Sequence, residues 1–74
     1  MINLQWQSSD SSNIEQFAYD DTAEELHIIF RSNQSHYMYQ SVPQEVYEGL
    51  LKAESHGKYF HANIKHNYIY SVMH

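Results

Sequence analysis

The 74-residue chain contains no cysteine, only two glycines and one proline. The lack of cysteine excludes disulfide bonds, thiolate metal sites and a cysteine nucleophile, which removes disulfide-rich secreted scaffolds and zinc fingers from consideration. A chain of this length buries only roughly 60% of the surface that its unfolded state exposes. Because aromatic residues make up 15% of the sequence, we expect large rings to supply much of a thin core.

The sequence is also poor in basic residues and in long apolar runs. Four Lys and Arg stand against nine Asp and Glu, a formal net charge of -5, which argues against simple electrostatic capture of nucleic acid. The longest mainly apolar cluster, residues 26–30, is far shorter than the roughly 20 residues that span a bilayer. Residues 1–6 lack the basic and apolar regions of a signal peptide. We therefore expect a cytoplasmic protein that does not contact a membrane, with one domain over 1–74, an entry segment over 1–12 and a core over about 13–70.

The charge is unevenly distributed along the chain. Residues 1–30 carry six carboxylates and no Lys or Arg, a formal charge of -6, whereas residues 31–74 carry four cations and three carboxylates, a formal charge of +1. Five of the six histidines also lie in the second part, and they are His36, His56, His61, His66 and His74. The acidic run from Asp20 to Glu25 is expected to be a solubilising turn, with a docking site for a basic partner as the alternative. The second part can therefore form a weak, locally basic surface.

Alternating apolar residues predict three strands in the first half of the chain. The predicted strands are Ile14–Tyr19, Glu25–Arg31 and His36–Val42. The second is the clearest, because Leu26, Ile28 and Phe30 fall on one face. Short polar turns between the three strands favour an antiparallel meander. Residues 7–13 are polar and indicate an entry loop.

The apolar period changes after the third strand. Ser41 followed by Gln44 has the spacing of a capping box, and the helical positions after it are Val46, Tyr47, Leu50, Leu51 and Ala53. Gly57 is expected to end this helix, and Phe60 with Ile64 predicts a short second helix. Residues 67–73 are expected to be extended or irregular. The predicted fold is α+β, with a three-stranded antiparallel meander packed against one main helix and a short second helix.

An ordered set of short motifs extends over residues 11–70. They are Ser11-Ser12-x-Ile14, Tyr19-Asp20, Leu26-x-Ile28-x-Phe30, Tyr37-Met38-Tyr39, Val42-Pro43-x-x-Val46-Tyr47, Leu50-Leu51-x-Ala53, Ser55-x-Gly57-x-Tyr59-Phe60, Ile64-Lys65 and Tyr68-x-Tyr70. The combination resembles the KTSC domain, a small module found at the C-terminus of some lysyl-tRNA synthetases and as a stand-alone bacterial or phage protein. The synthetase context implies RNA binding. Two positions depart from the family pattern: Ala18 stands where Gly is common, which predicts a relaxed bulge in the first strand, and His61 stands where Asn is usual.

Tyr37 and Tyr39 are the main candidates for ligand contact. The two residues are two positions apart on a predicted strand, so their rings project from the same face. An exposed pair would form a stacking platform that contributes roughly 1–3 kcal/mol of binding free energy per stacked nucleobase. The alternative is that both rings pack beneath the helix as core residues. Tyr68 and Tyr70 repeat the spacing and leave the same two alternatives. The solvent exposure of Tyr37 and Tyr39 distinguishes a stacking platform from core packing.

The basic residues supply candidates for phosphate contact. Lys58, Lys65 and Arg31 are the first, and Lys52 is next. Tyr59 lies between the two lysines, so that cations and rings alternate as in single-strand binders. The candidate RNA-binding set is therefore Tyr37, Tyr39, Arg31, Lys58, Lys65 and Tyr59. We expect a non-catalytic module that binds RNA, tRNA-like RNA in particular. The alternative is a module for protein–protein interaction or self-association.

The histidine spacing does not predict a metal site. His56, His61 and His66 are five residues apart, roughly 140° per step on a helix, and so do not share a helix face. No His-Glu-x-x-His motif is present. A catalytic role of His61 or His66 on RNA would need a second catalytic group that the sequence does not indicate. We expect no catalytic residue, no metal and no cofactor.

Overall fold

A computed structural model describes residues 4–73 of the protein, so Met1 to Asn3 of the predicted entry segment and His74 lie outside the described residues. Within this described range, five strands form one antiparallel sheet in chain order, and two helices are inserted between the fourth strand and the fifth. The strands are β1 Gln7–Ser8, β2 Ile14–Asp20, β3 Glu25–Phe30, β4 His36–Tyr39 and β5 Tyr70–Val72, and the helices are α1 Gln44–Lys52 and α2 His56–Asn63.

The predicted α+β class with two helices and an antiparallel sheet is confirmed, but the prediction of three strands is wrong, because the sheet has five. β1 lies inside the predicted entry loop. It pairs Gln7 with Phe17 and Ser8 with Gln16, yet both of its side chains are polar and exposed, so no apolar alternation marks it. β5 has only three residues and forms where the sequence predicts an irregular end.

The hairpin of β2 and β3 forms the centre of the sheet. Phe17 lies opposite Ile28, and both are fully buried under the helices. The pairing register shifts between Ile14 and Gln16, so the bulge of this hairpin is at Glu15. Ala18 sits in regular pairing opposite His27, so the irregularity of this strand lies away from position 18. One face of the sheet therefore faces the helices, and the other is the back face.

The core lies between the sheet and the two helices. Its buried apolar residues are Ile14, Phe17, Leu26, Ile28, Tyr39, Val42, Leu50, Phe60 and Ile64. Phe60 of α2 packs edge-on against Phe30 and Tyr39, with ring centroids 5.6 and 5.4 Å apart. Aromatic rings thus link the second helix to the sheet, as expected for a small domain with no disulfide.

The first helix begins later than the capping box predicts. Ser41 has a positive φ of 56°, whereas an N-cap residue needs an extended backbone. Pro43, with φ -64° and ψ 151°, occupies the N-cap without a side-chain hydrogen bond. The helix therefore starts at Gln44 and not directly after Ser41.

The boundary between the helices also differs from the prediction. α1 ends at Lys52, and Gly57 lies inside α2 rather than terminating α1. The hydroxyl of Ser55 accepts a hydrogen bond from the amide of Lys58 at 3.3 Å, which makes Ser55 the N-cap of α2. Neither described helix is long and apolar enough to cross a membrane.

Candidate nucleic-acid interface

A groove of about 420 Å³ opens between β4, β5 and the turn that follows α2. We call it the tyrosine groove. It is lined by Asn13, Phe30, Ser32, Asn33, Tyr37, Tyr39, Phe60, Lys65, His66 and Tyr70. The described residues that line it include Lys65 and His66 but no Asp or Glu. The groove therefore combines aromatic rings with a locally basic rim in a chain that is acidic as a whole.

The two tyrosines of β4 have different environments. Tyr39 is only 3% exposed and forms the floor of the groove, where its ring meets that of Phe60. Tyr39 therefore packs as a core residue, which is the alternative to a role in a stacking platform. Tyr37 is half-buried and faces the opening. The predicted platform of two adjacent exposed rings on one strand is absent, and Tyr37 alone remains available from β4.

The second exposed ring comes from β5. Tyr70 is 51% exposed and stacks on Tyr37, with ring centroids 5.1 Å apart and planes inclined by 22°. β5 pairs antiparallel with β4 so that Tyr70 lies opposite Tyr39, which makes Tyr37 its diagonal neighbour on the same face. The alternation of Tyr68 and Tyr70 is visible in the sequence, but the pairing that brings Tyr70 to Tyr37 is not.

Burial of Tyr39 changes its acidity. Desolvation, assisted by the nearby phenols of Tyr37 and Tyr70, raises the pKa of Tyr39 to about 12. The folded state favours the neutral phenol of Tyr39. The stabilisation that this gives the fold is fully present below about pH 10, the usual pKa of tyrosine, and is lost as the pH rises through about 12.

We expect the free energy of unfolding to fall by about 2 kcal/mol between pH 10 and 12 as this phenol ionises. Urea titrations at a series of alkaline pH values measure the decrease. The Tyr39→Phe variant, which has no phenol to ionise at this position, should lose less stability over the same interval. An equal loss in both proteins would contradict the assignment.

Lys65 and Lys58 lie along one side of α2 and its following turn. Lys65 Nζ is 3.5 Å from His61 Nε2, and the His61 and His66 rings are 6.2 Å apart. Lys58 precedes His61 by one helical turn. We call Lys58, His61, Lys65 and His66 the basic ridge.

The basic ridge joins the tyrosine groove to a larger cleft of about 960 Å³, which Lys58 and His61 line together with Asp10 and Glu54. Asn13 lines both the cleft and the groove. The carboxylates of the cleft make it less suited to phosphate than the groove.

Arg31 is engaged within the protein. Its guanidinium donates hydrogen bonds to the carbonyl oxygens of Ser9 at 2.7 Å and Ser11 at 3.1 Å, and it lies 4.0 Å from the Glu15 carboxylate. These contacts hold the loop between β1 and β2 against the end of β3. The groove therefore does not include Arg31.

Tyr59 is also directed into the protein. A Cβ atom at Gly49 would clash with the Tyr59 hydroxyl oxygen, so Gly49 is the residue that lets α1 approach this ring. Of the six candidates, the groove brings together Tyr37, Tyr39 and Lys65, the ridge adds Lys58, and Arg31 and Tyr59 lie elsewhere. Sequence reasoning considered His66 only for metal binding and a catalytic role, and it gave no priority to Tyr70.

The acidic run forms the turn that the sequence predicts. The Asp20 carboxylate accepts hydrogen bonds from the amides of Thr22 and Ala23, both at 3.1 Å. The following residues join β2 to β3, and the backbone oxygen of Glu24 accepts the amide of Val42. This turn contributes no residue to the described lining of the groove.

Comparisons with known proteins agree with the fold. The profile of the KTSC domain family matches residues 10–68. The crystal structure of a KTSC domain protein from Yersinia pestis has a TM-score of 0.91 and 29% sequence identity, and the match covers 97% of this chain and 100% of that one. No curated protein matches the chain significantly.

Proposed function

The chain belongs to the KTSC domain family, and from this premise and the geometry of the tyrosine groove we propose that it is a small non-catalytic module that binds single-stranded segments of RNA, including those of tRNA-like molecules. The observation that carries the proposal is the stacked pair of Tyr37 and the exposed Tyr70 beside Lys65 and His66 in one groove.

The aromatic pair would supply the base contacts. Tyr70 stacks on Tyr37 and remains about half exposed, so a nucleobase can extend the stack on its free side. Each stacked base contributes roughly 1–3 kcal/mol, and stacking tolerates any sequence because every base has a π-face. One or two bases with one or two phosphate contacts correspond to dissociation constants that are about micromolar or weaker.

The basic ridge would supply the phosphate contacts. Lys65 lies at the rim of the groove, and Lys58 continues the ridge toward the neighbouring cleft. Two lysines on phosphates give a slope of about -1.4 for the logarithm of the binding constant against the logarithm of salt concentration. The net charge of -5 does not oppose this mode, because the described lining of the groove carries no carboxylate.

Replacing Lys65 by glutamine tests the electrostatic part of the proposal. We expect the salt slope for a fluorescently labelled single-stranded RNA to become shallower by about 0.7, because one phosphate contact is lost. Lys52→Gln, the matched control, removes the same charge from the exposed end of α1 and should leave the slope unchanged. Fluorescence anisotropy at several salt concentrations measures both. Absence of binding at low salt, or equal effects of the two variants, would count against RNA binding by the groove.

A second function is favoured by the exposed edge of the sheet. β5 pairs with β4 on one side, where Gln40 donates to the oxygen of Ile69 and Met73 donates to the oxygen of His36. The backbone groups of Tyr70 and Val72 therefore face away from β4. Edge strands of this kind pair with further strands, so the second proposal is self-association through β5.

Sedimentation at increasing protein concentration tests self-association. The proposal predicts a rising average mass that Val72→Lys abolishes, because a charged side chain blocks strand addition at an edge. Salt should have little effect on the association. A monomer at all concentrations would contradict it and leave RNA binding unaffected.

A further inference from the structure

The back face of the sheet carries a second cluster of polar and aromatic side chains. His27 Nδ1 lies 2.8 Å from His36 Nε2, and His27 is only 8% exposed. The Trp6 ring stands at 72° to the imidazole of His27 and at 78° to that of His36, with centroids 6.2 and 5.4 Å away. Two neighbouring imidazole nitrogens therefore lie beside an indole ring.

Met38 belongs to the same cluster. It lies directly opposite His27 in the register of β3 and β4, so their Cβ atoms are about 4.5–5.5 Å apart. It also follows His36 by two residues on β4, and alternate residues of a strand share a face. Met38 is half-buried. We call Trp6, His27, His36 and Met38 the back-face cluster.

We propose that the back-face cluster binds a soft monovalent cation, copper(I), through His27 Nδ1, His36 Nε2 and the Met38 thioether, with Trp6 beside the ion. This site is separate from the tyrosine groove, which lies on the helix side of the sheet.

The types of ligand select the metal. Thioether sulfur favours copper(I), whereas carboxylate and carbonyl oxygens favour magnesium and calcium. Glu25 lies two residues before His27 on the same face of β3, and Asp20 lies opposite Glu25, where its Oδ1 accepts the amides of Thr22 and Ala23. Among residues 4–73, no group of three His, Asp or Glu side chains is arranged to hold a metal. Zinc, which takes four such ligands in structural sites, therefore fits poorly.

The two nitrogens need only a small movement to accept an ion. Metal–imidazole bonds are about 2.0–2.1 Å long, so an ion between two rings needs nitrogens about 3.3–4 Å apart. The imidazoles would separate by about an ångström from their present 2.8 Å contact.

The protein keeps the proton of the His27–His36 hydrogen bond when the ion binds. At present one imidazole donates it to the other. The donating ring transfers that proton to its other nitrogen, so both facing nitrogens present lone pairs and no net proton is released.

The Trp6 ring lies close to the proposed ion position. The three ring separations of 6.2, 5.4 and 5.0 Å place the midpoint between the imidazoles roughly 5 Å from the indole centroid. The ring also covers the His pair from solvent, which favours a weakly hydrated ion.

The test is a titration of the full chain with copper(I) in oxygen-free buffer against a coloured copper(I) chelator, with silver(I) as a redox-inert probe. Trp6 is the single tryptophan, so its fluorescence reports binding at this cluster. We expect one equivalent of either ion to bind with quenching of Trp6 emission, and zinc(II) to cause no quenching.

Two variants assign the ligands. Met38→Leu keeps the side-chain volume but removes the sulfur, and it should weaken copper(I) binding about tenfold or more. His36→Gln should do the same, while the control His61→Gln, on α2, should bind as the unchanged protein does. If His36→Gln fails to fold, Met38→Leu still decides the question. Unquenched Trp6 emission at one equivalent, or unchanged affinity in Met38→Leu, would overturn the proposal.

Discussion

Replacing Phe60 with alanine is expected to lower the free energy of unfolding by about 3–5 kcal/mol. Phe60 is 2% exposed, and its ring fills the space between Phe30 and Tyr39. It is the ring by which α2 contacts both β3 and β4. Natural domains have only about 5–15 kcal/mol of stability, and a domain this small lies near the lower end. The variant should therefore be largely unfolded or close to its midpoint.

Urea denaturation followed by far-ultraviolet circular dichroism measures this loss. Leu51→Ala is the matched control, because Leu51 is an apolar helix residue that is 43% exposed and its truncation should cost less than about 1 kcal/mol. Similar midpoints for the two variants would show that Phe60 does not join α2 to the sheet.

The second large effect is expected at the aromatic pair of the groove. Tyr70→Ala should weaken the binding of single-stranded RNA by about 1–3 kcal/mol, a factor of roughly 5 to 150, because it removes the exposed stacking ring. Adding Tyr37→Leu should remove the remaining ring and bring the total loss to about 2–6 kcal/mol. For a binder of micromolar affinity, the double variant should show no measurable binding.

The controls for this effect separate stacking from simple loss of apolar surface. Tyr70→Phe keeps the ring and should retain most of the affinity. Ile69→Ala removes a neighbouring apolar side chain that is 73% exposed but does not line the groove, and it should bind as the unchanged protein does. Anisotropy titrations at one low salt concentration compare the four variants with the unchanged protein. A loss in Ile69→Ala as large as that in Tyr70→Ala would contradict the stacking role.

The strands that bury a full face could be predicted from the sequence, and those that pair mainly through the backbone could not. In β3 the alternation of Leu26, Ile28 and Phe30 marks the core face, and the structure buries or packs all three. β1 contributes two exposed polar residues, which carry no such pattern. β5 is short and partly exposed, so its alternation resembles an irregular tail.

The candidate site was predictable in composition but not in arrangement. The spacing of Tyr37 and Tyr39 correctly places both rings on one face, yet only the position of Phe60 decides that Tyr39 is covered. Likewise His27 and His36 are nine residues apart on different strands, and their contact depends on the β3–β4 register. Reasoning from histidine spacing on one helix could not detect that pair.

The most direct test of RNA binding by the tyrosine groove is an NMR titration of the isotope-labelled full chain with a short unstructured RNA at low salt. The account predicts chemical-shift changes that concentrate on Tyr37, Lys65, His66 and Tyr70 and extend along the basic ridge to Lys58. Changes confined to the acidic turn or to the back face, or no changes at all, would contradict it.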